Sequence, residues 1–293
     1  MHSIMETIGF IGQGWIGKHY ADDFEARGLS VVRYGLEPEY AGNKEKIAEC
    51  SIVFIAVPTP TTENGFDSSI VRAVLPLVGK GSIAVLKSTL LPGTTEEMQT
   101  AFPGILVLNS PEFLREANAA HDAAHPERNL IGIPEDTEQY QEAAKRVLAV
   151  LPEAPYARIM PARAAELTKY AGNVFLALKV VYANMLADLS VSLGTDYETV
   201  KEALGADPRI GPSHLSVMSA SGHSDTAGRG AGGHCFIKDL EAFRRLYGTE
   251  VAEDKGKEFL AALVRKNNAY LIASEKDLDL LGGVYGTEYD LLP

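Results

Sequence analysis

The first half of the chain alternates short unbroken apolar runs with amphipathic stretches; the second half is dominated by one long apolar stretch. Thr7–Ile11, Leu29–Tyr34, Ile52–Val57, Ser82–Leu86, Ile105–Leu108 and Asn129–Ile133 read as strands. Runs this short and this apolar suit parallel strands covered on both faces. Helical periodicity follows Gly12–Gly17 to about Gly28, covers Ile70–Val78, and returns over Thr137–Leu151. From Ala162 to about Leu193 the pattern is helical without a proline, about 45 Å of helix. Further helices are expected at about Tyr197–Leu204, Ile237–Leu246 and Asp254–Ser274, with little pattern in the tail to Pro293. The fold class expected is α/β: an N-terminal Rossmann-like doubly wound sheet over 1–155, then an all-helical domain over 156–293 built on the long helix. That helix is too apolar to stand alone, and Leu167, Val174, Leu178, Val181 and Met185 are spaced as a seam for a partner.

The chemistry begins at the first loop. Gly12-Gln13-Gly14-Trp15-Ile16-Gly17 lies between a strand and a helix, which is the dinucleotide-binding fingerprint. The acid expected after the second strand is replaced by Gly35, leaving Glu37 as the candidate ribose ligand and Arg33 as a pull toward NADP. Hydroxyls and carboxylates gather after later strands, in Pro58–Thr62, Lys87–Thr95 and Asn109–Glu116. Open α/β sheets bind ligands past those strand ends. In the second half, Gly230-Ala-Gly-Gly-His-Cys235 delivers a thiol beside Lys238, with Asp239 one turn on. Small residues suit a close approach, and a thiol at a helix start near a cation ionises readily. Lys169 and Asn173, four apart, share one helix face.

Bulk properties narrow the classes. A net charge of -12 argues against a nucleic-acid partner. Cys50 and Cys235 make no disulfide framework and no Cys/His cluster, so a reducing cytoplasm is expected and no metal site. No membrane-span-length apolar run and no signal pattern at Met1–Ile4 are read here, so no membrane partner is expected.

The motifs together resemble the UDP-glucose/GDP-mannose dehydrogenase family. They are the glycine loop, Val57-Pro-Thr-Pro60, Lys87-Ser-Thr89 with Pro92-Gly93, Ser110–Glu116, Glu166–Asn173, Asp207–Gly211 and Gly232–Asp239, in the family's order from about Ile8 to Asn268. The resemblance implies NAD and oxidation of a sugar C6 alcohol on a nucleotide sugar, UDP-linked. For the chemistry it implies Cys235 as nucleophile, Lys169 and Asn173 at the oxyanion, and Glu112, Asp239 and Thr89 around the base and water. For the cofactor it implies Gly12, Gln13, Gly14, Trp15, Ile16, Gly17, Glu37, Thr59, Ser88, Thr89, Glu116 and Lys238. For the substrate it implies Glu112, Phe113, Leu114, Arg115, Glu116, Lys169, Asn173, Arg209, Gly230 and Gly232. It also implies a homodimer through the long helix, with Arg209 crossing to the partner's site. Three departures stand out. A third domain that grips UDP in the family is expected to be missing. The 212–229 loop, with Ser213, His214, Ser219, Ser221, His223 and Ser224, is about ten residues longer than usual. His234 precedes the cysteine, as in members acting on UDP-N-acetylhexosamines. A two-electron hydroxyacid dehydrogenase of the same layout, or an NAD-binding partner subunit without full activity, are the rival readings.

Overall fold

The computed structural model describes residues 6–223 and 225–286. Ser224, the residues Met1–Ile4 and the end of the tail lie outside the described residues. The chain divides into two compact units, the first holding Met1–Pro60 and Asp67–Lys169, the second Thr61–Phe66 and Tyr170–Pro293.

In the first unit, seven strands among the described residues form one sheet: β1 (Ile8–Ile11), β2 (Val31–Tyr34), β3 (Ile52–Ile55), β4 (Ile83–Leu86), β5 (Leu106–Asn109), β6 (Arg128–Ile133) and β7 (Tyr156–Pro161). Their order is β2-β1-β3-β4-β5-β6-β7, parallel throughout except between β5 and β6, which meet antiparallel at Asn109 and Gly132. Every residue of β1, β3 and β4 is buried, as their unbroken apolar runs require. β2 pairs with one side of β1 and β3 with the other, both starting opposite Ile8. The strand order therefore reverses at β1, and the loops after β1 and β3 open at a topological switch point. Besides two single-turn helices at Pro38–Ala41 and Lys44–Ile47, this unit has α1 (Trp15–Ala26), α2 (Ser69–Val74), α3 (Thr94–Ala101), α4 (Ala119–Ala124) and α5 (Glu138–Val150). α1 buries Gly17, Tyr20, Ala21 and Phe24. Phe24 meets Phe10 and Phe54 with ring centres 5.2 and 5.3 Å apart, fastening α1 over β1 and β3. α5 starts where Thr137 accepts the Tyr140 N–H, and it buries Ala143, Ala144, Val147 and Val150.

The second unit contains most of α6 (Ala162–Ser192), then α7 (Tyr197–Gly205), α8 (Gly233–Glu250), α9 (Asp254–Ala273) and α10 (Leu278–Tyr285). A small hairpin, Thr61–Thr62 with Gly65–Phe66, also belongs to it, with Arg245 donating to the carbonyls of Thr62 and Glu63. The expected boundary at 155/156 falls before both β7 and the structural division, which lies inside α6 between Lys169 and Tyr170.

Three expectations are corrected. α8 begins at Gly233 rather than Ile237, so Cys235 sits inside its first turn. The seam on α6 is split: Val174 and Val181 are buried among Leu240, Leu263, Val264 and Tyr270 with Leu178 packed against them, whereas Leu167 and Met185 are exposed, as are Phe175, Tyr182 and Leu189. A helix apolar on nearly every side offers several seams, and periodicity does not choose between them. For the same reason α6 is long and apolar enough to cross a membrane by length and composition, contrary to the expected absence of such a run; part of it is core helix of the second unit.

Candidate active site

The glycine loop divides its labour. Gly12 has φ +91°, and a Cβ there would lie 2.3 Å from the Ala56 carbonyl oxygen. A Cβ on Gly17 would lie 1.9 Å from the Gly12 oxygen. Those two glycines serve the protein's own packing. A Cβ on Gly14 would meet nothing within 4 Å, so the space before the α1 N-terminus is open. Gly14 is the N-cap of α1 and places no side chain on the first-turn N–H groups, leaving them for an external acceptor. Gln13 is buried with Oε1 lacking a hydrogen-bond partner, and Trp15 is partly exposed against His19. The Ile16 side chain packs into the core instead.

The carboxylate of Glu37, two residues past Gly35, lies against that glycine. A Cβ on Gly35 would lie 2.1 Å from Glu37 Oε2 and 3.2 Å from Gln13 Cγ, so the Glu37 carboxylate folds back over the end of β2 beside the glycine loop. Arg33, expected to pull toward NADP, is buried and ion-paired at 2.7 Å to both Asp22 and Glu25. These features fit a dinucleotide carrying a free ribose hydroxyl pair.

The hydroxyls of the next two loops are used internally. Thr59 Oγ1 donates to the Thr89 carbonyl (2.7 Å), and Ser88 Oγ accepts from Val57 N (3.0 Å) and donates to Val57 O (2.7 Å). They tie the loop after β3 to the loop after β4. After β5, Glu112 is buried with Lys169 Nζ at 2.7 Å on Oε1 and the Leu114 N–H at 2.7 Å on Oε2. Phe113 lies under the Arg128 guanidinium at 3.7 Å, and Leu114 packs on the core. Arg115 forks onto Asp122, holding that carboxyl down at about 2; Glu116 is exposed. Tyr20, Phe113, Leu114, Arg115, His125 and Arg128 help line a cavity of about 290 Å³.

In the second unit, Asn173 Nδ2 donates to Asp239 Oδ2 at 2.6 Å, and Lys238 Nζ meets Asp239 Oδ1 at 2.5 Å. Lys238, expected near the cofactor and as the thiol's cation, is thus engaged by its neighbour. Cys235 is exposed. Arg209 is exposed and forked onto Asp207. The glycines before Cys235 do make a close approach. A Cβ on Gly232 would lie 2.1 Å from Asp277 Oδ2, and one on Gly230 3.0 Å from Leu271 Cγ. The close approach read from the sequence is to the chain's own later segments.

Residues 36–151 match the model of the UDP-glucose/GDP-mannose dehydrogenase family NAD binding domain, and residues 163–269 match that family's central domain. The UDP-glucose 6-dehydrogenase YwqF of Bacillus subtilis is 31% identical, the match covering 98% of this chain and 71% of that one. The chain belongs to the UDP-glucose/GDP-mannose dehydrogenase family. A solved UDP-glucose dehydrogenase from the hyperthermophilic archaeon Pyrobaculum islandicum superposes with a TM-score of 0.76 at 31% identity, covering 92% of this chain and 69% of that one. A 3-hydroxyisobutyrate dehydrogenase of Mycobacterium tuberculosis shares the fold over 99% of both chains, with a TM-score of 0.68 at 17% identity. The chain spans about half the length, 52% and 45%, of the curated relatives it matches at 34% and 36% identity.

Lys87 is a further candidate that residue type alone does not single out. The residue stands in the Lys-Ser-Thr motif, and that motif was the available signal. Its Nζ is buried 3.2 Å from Ser110 Oγ and 4.2 Å from the centre of the Tyr20 ring. Burial pushes its pKa down to about 7, opposed by Glu112 and reinforced by Lys169. The unfolded chain therefore holds more protons than the folded one between about pH 7 and the ordinary lysine value, and this residue's contribution to stability rises with pH across that window. Lys87→Met is expected to remove that rise and to increase the melting temperature at pH 7 by a few degrees. Thermal denaturation of both proteins from pH 7 to 10 checks this; parallel curves would count against it.

Proposed function

We propose that this chain is an NAD-dependent nucleotide-sugar 6-dehydrogenase, oxidising a primary alcohol on a UDP-linked sugar to the carboxylate through Cys235. The observation that carries the reading is an exposed cysteine in the first turn of α8, with the Asn173–Asp239 bond one turn later, in a chain of this family. NAD, when bound, accepts one hydride in each of the two oxidations. Gly12–Gly17 takes the pyrophosphate at the α1 N-terminus, and Glu37 takes the ribose. Glu112, with Lys169 against it, draws the hydroxyl proton away through water, while Lys169 and Asn173 donate to the oxygen as it gains charge. The Cys235 thiolate then adds to the aldehyde carbon, giving a thiohemiacetal, and loss of the second hydride leaves a thioester. Water activated by Glu112, with Thr89 and Asp239 in support, cleaves the C–S bond and returns the thiol. A reducing cytoplasm suits a protein whose work needs Cys235 as a thiol.

The test is the number of NADH released per nucleotide sugar, with product mass. Two equivalents and a uronate are expected. One equivalent from a hydroxyacid instead would favour the two-electron reading; no turnover would favour a partner subunit.

NAD is expected to bind more tightly than NADP, because Glu37 repels a 2′-phosphate and Arg33 is committed to Asp22 and Glu25. Glu37→Ala is expected to narrow the preference about tenfold, a change of roughly 1.4 kcal/mol. Titration by Trp15 fluorescence reads both, and tighter NADP binding to the native protein overturns the assignment.

The exposed stripe of α6 is the surface we assign to a homodimer, with Arg209 reaching the partner's site. Light scattering that finds a stable, active monomer removes this assignment.

A further inference from the structure

The turn between α9 and α10 carries no local pattern, yet its polar side chains converge on the segment that delivers Cys235. We propose that Lys276 and Asp277 are positioning residues for Cys235, clasping the backbone on both sides of the glycine run and setting the charge around the thiol. The inference rests on the reading of Cys235 as the nucleophile.

Asp277 is 4% exposed. Its Oδ2 accepts the Gly233 N–H at 2.8 Å, the first N–H of α8, and its Oδ1 accepts the Ser221 hydroxyl at 2.8 Å. Lys276 is 1% exposed, its Nζ 3.0 Å from Gly230 O, 3.4 Å from Gly228 O and 3.4 Å from Ser219 Oγ. Ser219 and Gly228 close the long loop with a pair of 3.1 Å backbone bonds, so Lys276 sits at its base. The glycines are fitted to this clasp: a Cβ on Gly228 would lie 2.9 Å from the Cβ atoms of Lys276 and Ser274. Glu275 and Asp277 flank Lys276 with φ of 53° and 54°, a conformation that persists in such residues only where the surroundings fix it. Asp279 adds a third tether. It accepts from His223 Nε2 at 2.7 Å, and His223 Nδ1 lies 3.1 Å from His234 Nε2, next to the cysteine. A carboxylate only accepts, so the proton on His223 is at Nε2.

The charges oppose one another. Asp277 at the α8 N-terminus disfavours a thiolate, and Lys276 favours it. Among the described residues, the other titratable or charged groups near this helix start include His234, Lys238 and Asp239 on α8, His223 on the loop, and Asp279.

The experiment is the rate of Cys235 alkylation by iodoacetamide against pH, in the full chain without substrate, located by mass spectrometry. Burial pushes the Cys50 thiol up to about 11, so it stays silent. Asp277→Asn is nearly isosteric and can still accept from Gly233; the midpoint of the profile is expected to fall by about half a pH unit. Lys276→Met is expected to raise it by a similar amount, about half a unit. Ser221→Ala leaves both charges in place and should leave the midpoint where it is. A purely structural role would not move two neighbours in opposite directions. Shifts of the same sign, or no shift in either variant, overturn the proposal. Should Lys276→Met fail to fold, Asp277→Asn decides alone, an unmoved midpoint counting against the clasp. Because alkylation needs no turnover, opposite shifts in a chain that makes no uronate would keep the clasp and remove the proposed reaction.

Discussion

Cys235→Ser is expected to end uronate formation while leaving dinucleotide binding at its native strength. A serine hydroxyl is a far weaker nucleophile than a thiolate unless an adjacent base activates it, and the polar groups drawn around α8 are already committed: Asp239 to Asn173 and Lys238, and His234 to His223. In the proposed mechanism the second hydride leaves from the Cys235 adduct, so without the thiol the second oxidation should slow by about a thousandfold or more. In the proposed mechanism the first oxidation does not draw on the thiol, so aldehyde can still form, with one NADH for each. Dinucleotide binding is assigned in the proposed function to Gly12–Gly17 and Glu37, which belong to the other unit of the chain. Mass spectrometry of the products with Trp15 titration of NAD separates the two. Uronate at the native rate from the serine variant would remove Cys235 from the mechanism.

How much of this was legible beforehand depends on the range of the interactions. β1 and β3 announced themselves because a strand buried on both faces must be apolar at every position, and the glycine loop because two of its three glycines are required sterically. α6 was legible in length, though its buried and exposed sides were not, since Val174 and Phe175 are equally apolar and only the packing of α8 and α9 distinguishes them. β7 went unread: Tyr156, Ala157 and Arg158 are exposed, and a half-exposed edge strand ending in proline has neither the continuous run nor clean alternation. α10 was missed for its brevity and its Gly282-Gly283 pair.

At the candidate site, residue types were legible but their partners were not. The Gly230–Gly233 run correctly signals a close approach, and the sequence invites the inference that the visitor is a substrate. The visitor at Gly232 is Asp277, 45 positions on, and such a contact leaves no periodic trace. Glu37 was legible as an acid past β2; that Arg33 is committed to Asp22 and Glu25 required the fold.

The second large effect concerns Lys169. Its side chain and that of Glu112 are 6% and 5% exposed, with Nζ and Oε1 2.7 Å apart. Removing one member of a buried pair strands the other charge away from water, which costs about 3–5 kcal/mol. For a protein of this size, Lys169→Met should lower the melting temperature by roughly 10 °C. Replacing both, Lys169→Met with Glu112→Gln, removes both charges and should recover most of that loss, because a neutral amide is far cheaper to bury than an unpaired carboxylate. Activity should behave differently. If Lys169 donates to the oxygen being oxidised and Glu112 draws off its proton, the double variant is restored in stability and remains inactive in the first oxidation as well as the second. The thermal denaturation cycle and NADH release under single-turnover conditions read the two effects separately. A double variant that regains both stability and turnover would make the pair a structural element. A Lys169→Met protein that melts and turns over like the native one would mean that Glu112 finds water or another cation when its partner is removed.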